Sequence, residues 1–254
     1  MRLKNKIALI TGGGTGIGRA TALLFAKEGA AVAVSGRREH KLLGTVELVQ
    51  KNGGRAYHAV GDISKVSGTE KIVKETVREF GGLDILVNNA GVFRKNQIAD
   101  FSEDDYDYIM NVNLKGTFFM CKYAVPELKR RGGSIINISS ISAIKVYRIS
   151  PTSAYAASKA GVNMLTKALA IELAPYKIRV NCICPAVVET ELFETLGIPQ
   201  DQIRERMKMW EPFHPLGRNA KPEEIAYAVL YFASDEASWA TGSIFTLDGG
   251  VTAE

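Results

Sequence analysis

Histidine and cysteine are scarce in this chain, with three of each among 254 residues. His40, His58 and His214 stand far apart, and none sits in a metal-ligand spacing, which disfavours zinc chemistry and leaves no expected metal site. Cys182 and Cys184 alternate onto one face of a strand-like run, where core packing accounts for them, and so few thiols fit a reducing compartment. No apolar stretch approaches the ~18 residues that a bilayer-spanning helix needs. The N-terminus enters its first strand without a charged-then-apolar leader, so the cytoplasm is the expected location. Clustered charge is missing too. The 32 basic and 27 acidic residues are spread along the chain, whereas nucleic-acid and membrane partners leave basic stripes. Lys129-Arg130-Arg131 reads as a solvated helix C-terminus. Internal repeats and low-complexity segments are absent.

What is there is a 46% hydrophobic chain, long enough for one α/β core and too short for two ordinary domains, so residues 1–254 are expected to form a single domain. Strand-like apolar runs at Ile7-Ile10, Ala31-Val34, Ala56-Val60, Ile85-Val87, Ser134-Ile138, Val180-Ile183 and Ser243-Leu247 alternate with segments of helical period. That alternation predicts a doubly wound, Rossmann-like parallel sheet of about seven strands with helices on both faces. One long irregular stretch, Ala186 to Lys221, exceeds the length expected of a connection inside a compact domain and is read as a lid.

Two short segments carry chemistry. Lys6-Ile7-Ala8-Leu9-Ile10-Thr11-Gly12-Gly13-Gly14-Thr15-Gly16-Ile17-Gly18-Arg19 reads as a buried strand, a glycine-rich turn and a helix start. Backbone amides of such a turn, from Gly12 through Gly14, Thr15, Gly16 and Ile17, approach an anion closely and suit a dinucleotide pyrophosphate. A tight strand-to-helix turn alone also explains the glycines. In Tyr155-Ala156-Ala157-Ser158-Lys159 a phenol and an ammonium lie four residues apart, on one helix face. The pair is either a surface contact or a proton-transfer device in which Lys159 stabilises the Tyr155 phenolate.

With these motifs the chain resembles a short-chain dehydrogenase/reductase, from about Lys4 to Gly250. The resemblance rests on Thr11-Gly12-x3-Gly16-x-Gly18, Asp62, Asn88-Asn89-Ala90-Gly91, Asn113, Ser139-Ser140, Tyr155-x3-Lys159 and Pro185 to Thr190, in the family's order. It implies that Tyr155 is the general acid or base and that Lys159 lowers its pKa and bonds the nicotinamide ribose. It further implies that Ser140 polarises the substrate oxygen and that Asn113 holds a water linking Lys159 to solvent. Ser142 competes for the serine role, because the family usually has that serine about thirteen positions before the tyrosine. The strand end Ile135-Ile136-Asn137-Ile138-Ser139-Ser140 favours Ser140 and puts a two-residue insertion in the loop Ile144-Thr152.

The same resemblance puts Asp62 and Ile63 at the adenine, Asn89, Ala90 and Gly91 near the adenosine ribose, and Pro185, Val188 and Thr190 near the nicotinamide carboxamide. Ala186 stands where the family commonly has glycine. At the end of the second strand, Ser35-Gly36-Arg37-Arg38 lacks the acid that accepts both ribose hydroxyls of NAD. Arg37 and Arg38 suit a 2'-phosphate, so NADP(H) is expected over NAD(H). The expected substrate is a small carbonyl compound or secondary alcohol. Relatives acting on 3-oxoacyl thioesters lead, and sugar or polyol dehydrogenases follow; a regulatory dinucleotide-binding protein without turnover is the rival from another class. Leu192, Phe193, Leu196, Met207, Met209, Trp210 and Phe213 supply apolar surface to the lid, and Arg94, Lys95 and Arg148 are cations that an anionic group would meet. Acyl carrier protein binding has half of its basic pair, with Arg131 matching and Tyr176, beside Lys177, at the other position. A homo-oligomer, a tetramer, is implied through the helical regions Asp104-Arg131 and Ala154-Ala174 and the C-terminal strand.

Overall fold

Parallel strands covered on both faces read as unbroken apolar runs, and each of the seven runs forms a strand. The computed structural model describes residues 1–146, 151–192 and 200–253. Its elements follow the chain as β1 (Ile7–Thr11), α1 (Gly16–Lys27), β2 (Ala31–Gly36), α2 (Glu39–Lys51), β3 (Arg55–Val60), α3 (Val66–Phe80) and β4 (Ile85–Asn88). Then come α4 (Glu103–Met110), α5 (Thr117–Leu128), β5 (Gly133–Ile138), α6 (Ser153–Leu173), β6 (Ile178–Pro185), α7 (Gln200–Trp210), α8 (Pro222–Ala233) and β7 (Ile244–Leu247). The strands form one sheet in the order β3-β2-β1-β4-β5-β6-β7, every neighbouring pair parallel. The chain is a single Rossmann-like domain.

Two apolar layers flank the sheet. Phe25 of α1, Leu42 and Val46 of α2, and Val229 and Phe232 of α8 pack against one face. Ile72 of α3, Met120 and Leu128 of α5, and Leu173 of α6 pack against the other. A buried polar chain ties the second layer to the sheet: Asn88 Nδ2 donates to Asn137 Oδ1 at 2.9 Å, and Asn137 Nδ2 donates to Thr166 Oγ1 at 2.9 Å. Such a chain fixes register, since a one-residue slip leaves an amide unpaired in the core.

Strand order reverses between β1 and β4, and that reversal opens a crevice beyond the carboxyl ends of the strands. Two departures from the sequence reading bear on it. Within Ala186–Lys221 the helix α7 forms, so that stretch is not irregular throughout. Between α4 and α5, residues Asn111–Gly116 form a π-helical turn, which places the side chain of Asn113 in the interior.

Candidate active site

The crevice is a cavity of about 720 Å³. Its floor at one end is the glycine-rich turn. Gly12 and Gly16 have φ of +65° and +51°, and a Cβ on Gly18 would lie 2.3 Å from the Gly12 carbonyl oxygen, so these positions require glycine. Thr15 precedes the first turn of α1, whose free N–H groups and positive dipole end attract an anion. The turn is braced from β4: Thr11 Oγ1 accepts from the N–H groups of Asn89 and Ala90, both at 3.0 Å, and Asn89 Nδ2 donates to the Thr11 and Gly12 carbonyls. Thr11 is therefore a supporting residue that the sequence reading had only as part of a motif.

Gly12, Gly14, Thr15, Gly16, Ile17, Arg37, Arg38, Asp62, Ile63, Asn89, Ala90, Gly91, Ser140, Tyr155, Lys159, Pro185, Val188 and Thr190 all line this one cavity. Of the expected catalytic and cofactor residues, only Asn113 does not. Asp62 Oδ1 accepts from Ser64 N at 2.9 Å, which aims its carboxylate. Ala186 serves without strain, because left-handed φ among described non-glycine residues occurs only at Asn5 and Lys177. The segment after β6 is held by backbone bonds between Val187, Glu189 and Ala220. Thr190 packs on the glycine turn, 2.9 Å from the site of a Cβ on Gly16.

At the other end lie the groups suited to proton transfer. Tyr155 and Lys159 leave α6 one turn apart, both buried. Ser140, the residue capping the turn after β5, lines the cavity with Tyr155, pulls the phenol pKa downward, and accepts from Ser142 N at 3.1 Å. Ser142 also lines the cavity but has no described bond to Tyr155. Phe93 meets the Tyr155 ring edge-on at 4.9 Å between centroids. Lys159 Nζ donates to the Ile138 carbonyl at 2.9 Å and lies 5.8 Å from the Tyr155 ring centroid.

Burial dominates both titrations. It pushes the Tyr155 phenol up to about 12, against the smaller downward pull of Ser140, and brings the Lys159 ammonium down to about 8. The Lys159 ammonium is held on the Ile138 carbonyl and is itself desolvated. Asn113 is tied to its neighbours by its side chain. Its Nδ2 donates to the Val92 carbonyl and Ser158 Oγ, and its Oδ1 accepts from Val92 N, so the side chain clamps the segment that carries Phe93.

The substrate end is walled by Phe93, Tyr108, Ala186, Val187, Leu192 and Trp210. Arg94 lines it as well, its guanidinium 4.9 Å over the Tyr108 ring and 3.5 Å from Asp105. Of the expected lid and anion-meeting residues, Arg148, Phe193 and Leu196 lie outside the described residues. Met209 and Phe213 are exposed, and neither they nor Met207 reach the cavity wall. The sequence reading missed Lys41 and Glu191, which line the cavity and form an ion pair.

A parallel sheet with a glycine-floored crevice at its switch point, ending in Ser140 and the buried Tyr155 and Lys159, defines a nicotinamide-dependent oxidoreductase of the CH–OH class. The chain belongs to the short-chain dehydrogenase/reductase family, since a family model described as enoyl-(acyl carrier protein) reductase matches residues 12–252. It is 43% identical to an uncharacterized oxidoreductase of Thermotoga maritima, with all of both chains covered. It is 40% identical to the 3-oxoacyl-[acyl-carrier-protein] reductase of the same organism over 99% of each chain. A short-chain type dehydrogenase/reductase from Mycobacterium marinum superimposes with a TM-score of 0.93 at 37% identity, covering 99% of this chain and 97% of that one.

Proposed function

We propose that this protein reduces a 3-oxoacyl thioester, or oxidises the corresponding secondary alcohol, with NADP(H). The observation that carries the reading is the placement of Ser140, Tyr155 and Lys159 in the same cavity as the glycine turn and Arg37. The residues fit the cofactor: the Gly12–Ile17 turn receives the pyrophosphate, Asp62 and Ile63 the adenine, Arg37 the 2'-phosphate, and Lys159 the nicotinamide ribose. Bound there, NADPH supplies a hydride to the carbonyl carbon. Tyr155 then donates its proton to the carbonyl oxygen, a transfer that suits a phenol fully protonated near neutrality. Ser140 donates a hydrogen bond to that oxygen as charge grows on it. Lys159, brought down to about 8, holds a labile proton next to the tyrosine. Phe93, Leu192 and Trp210 enclose the substrate, and Ala186–Lys221 acts as the lid.

The 3-oxoacyl reductase relative at 40% identity supports the thioester. An acyl carrier protein would meet the basic surface at Arg131 and Lys177. The proposed assembly is a cytoplasmic homotetramer. The test is a turnover panel with NADPH or NADH that sets acetoacetyl thioesters against glucose, gluconate and polyols. Preference for the sugars moves the protein to the polyol class, and nucleotide binding without any turnover overturns the catalytic reading.

A further inference from the structure

We propose that Glu191 sets the cofactor preference by competing with the 2'-phosphate for Arg38 and Lys41. This rests on the reading of the cavity as an NADP(H) site. Glu191 follows Thr190 on the segment after β6, at the nicotinamide end, yet its carboxylate reaches the opposite half of the sheet. One oxygen lies 3.2 Å from the Arg38 guanidinium and the other 3.1 Å from Lys41 Nζ. All three residues line the cavity, and Asp62 is the only other carboxylate among the lining residues.

The placement of Glu191 has a local cause. Thr190 seats on Gly16, as described, and its Oγ1 accepts from Leu192 N at 3.3 Å, so the backbone that presents Glu191 is held independently of the ion pairs. The acid is also less exposed than its partners, at 27% against 50% for Arg38 and 34% for Lys41.

Charge at the adenine end follows. Arg37, Arg38 and Lys41 supply three positive charges and Glu191 removes one, while Arg37 has no ion pair among the described residues. A dianionic 2'-phosphate meets Arg37 directly but must displace a carboxylate to use the other two, and it is repelled by that carboxylate as it approaches. The neutral 2'-hydroxyl of NADH meets neither term. Glu191 therefore weakens NADPH binding selectively and keeps the preference between the two cofactors narrow.

The test measures dissociation constants by titration calorimetry for adenosine 2',5'-bisphosphate, 5'-AMP, NADPH and NADH. The proteins are the wild type, Glu191→Gln, Glu191→Ala and the double variant Glu191→Gln/Lys41→Gln. Ratios of the association constants (1/Kd), 2'-phosphorylated over unphosphorylated ligand, cancel any effect common to both. Removing the carboxylate is expected to raise both ratios about five- to tenfold, a range limited by solvent screening of partly exposed charges. The added Lys41→Gln change is expected to remove most of the gain. Unchanged or lowered ratios in both Glu191 variants overturn the proposal. A wild type that prefers the bisphosphate, with ratios unmoved by the variants, sinks the role of Glu191 and leaves the NADP(H) reading intact. A wild type without that preference whose Glu191 variants acquire it sinks the NADP(H) reading and supports Glu191.

Discussion

Tyr155 is a buried acid, and its burial governs how it titrates. Tyr155→Phe removes the proton source and keeps the ring against Phe93, so kcat is expected to fall roughly 10²–10⁴-fold with nucleotide affinity unchanged. A variant that keeps more than about a tenth of kcat rejects the role. The same variant reads the phenol directly. In protein free of cofactor, the near-ultraviolet difference between wild type and Tyr155→Phe should develop only above pH ~11, because burial holds the phenol near 12. A difference already growing around neutrality shows instead that Lys159 stabilises the phenolate. The linked stability has a definite sign. The unfolded chain loses this proton near its ordinary 10.0 and the folded one near 12, so Tyr155 lowers stability as pH rises between them. Lys159 runs oppositely: folded near 8 and unfolded at 10.5, it raises stability across that interval. Ser140→Ala should lower kcat far more than Ser142→Ala, since Ser140 alone of the two acts on the phenol, pulling its pKa downward. Steady-state kinetics of both variants decides, and the reverse ranking rejects the assignment.

Elements, more than residues, decide what was legible before the structure. The seven strands were, because burial on both faces leaves runs such as Ile135 and Ile136 without polar interruption. Helix α7 was not: Gln200–Trp210 begins with a polar turn, and the spacing of Ile203, Met207 and Trp210 is short and set among Arg, Glu and Lys. The clamp role of Asn113 was hidden for another reason, since Val92 and Ser158 are neighbours only in space. Glu191 was missed likewise, its partner Lys41 lying 150 positions away. The internal polar chain gives a prediction at this scale. Asn137→Ala strips partners from Asn88 and Thr166 in a dry core and should cost about 1–3 kcal/mol. Denaturant titration with an unchanged slope checks it. The end of β2 gives another. A Cβ on Gly36 would meet only Leu42, at 3.5 Å, so Gly36→Asp fits there. Combined with Arg37→Ala it should move kcat/KM from NADPH toward NADH by roughly ten- to hundredfold. Both cofactors are compared at saturating carbonyl substrate, and a wild type that already prefers NADH rejects the premise.

At the scale of the whole molecule, surface composition bears on assembly. Met164 and Ile171 on α6, Phe118 on α5, and Tyr227, Trp239 and Phe245 toward the C-terminus are large apolar side chains left exposed. The proposed tetramer would cover both groups, and light scattering at micromolar concentration should report four copies; a monomer rejects it. The strand order has a further effect, on how the chain comes to be folded. During synthesis β1 emerges first and β2 soon after, but the opposite edge of β1 belongs to β4, and Asp84, which bonds Ile7 N, arrives 77 residues later. Until then a central strand stands as an unsatisfied edge with apolar faces, a template for wrong pairing. Closing that long loop costs entropy before any contact across it contributes. The arrival of β4 is therefore the step that commits the nascent chain, and the crevice at the β1–β4 junction comes into being only with it.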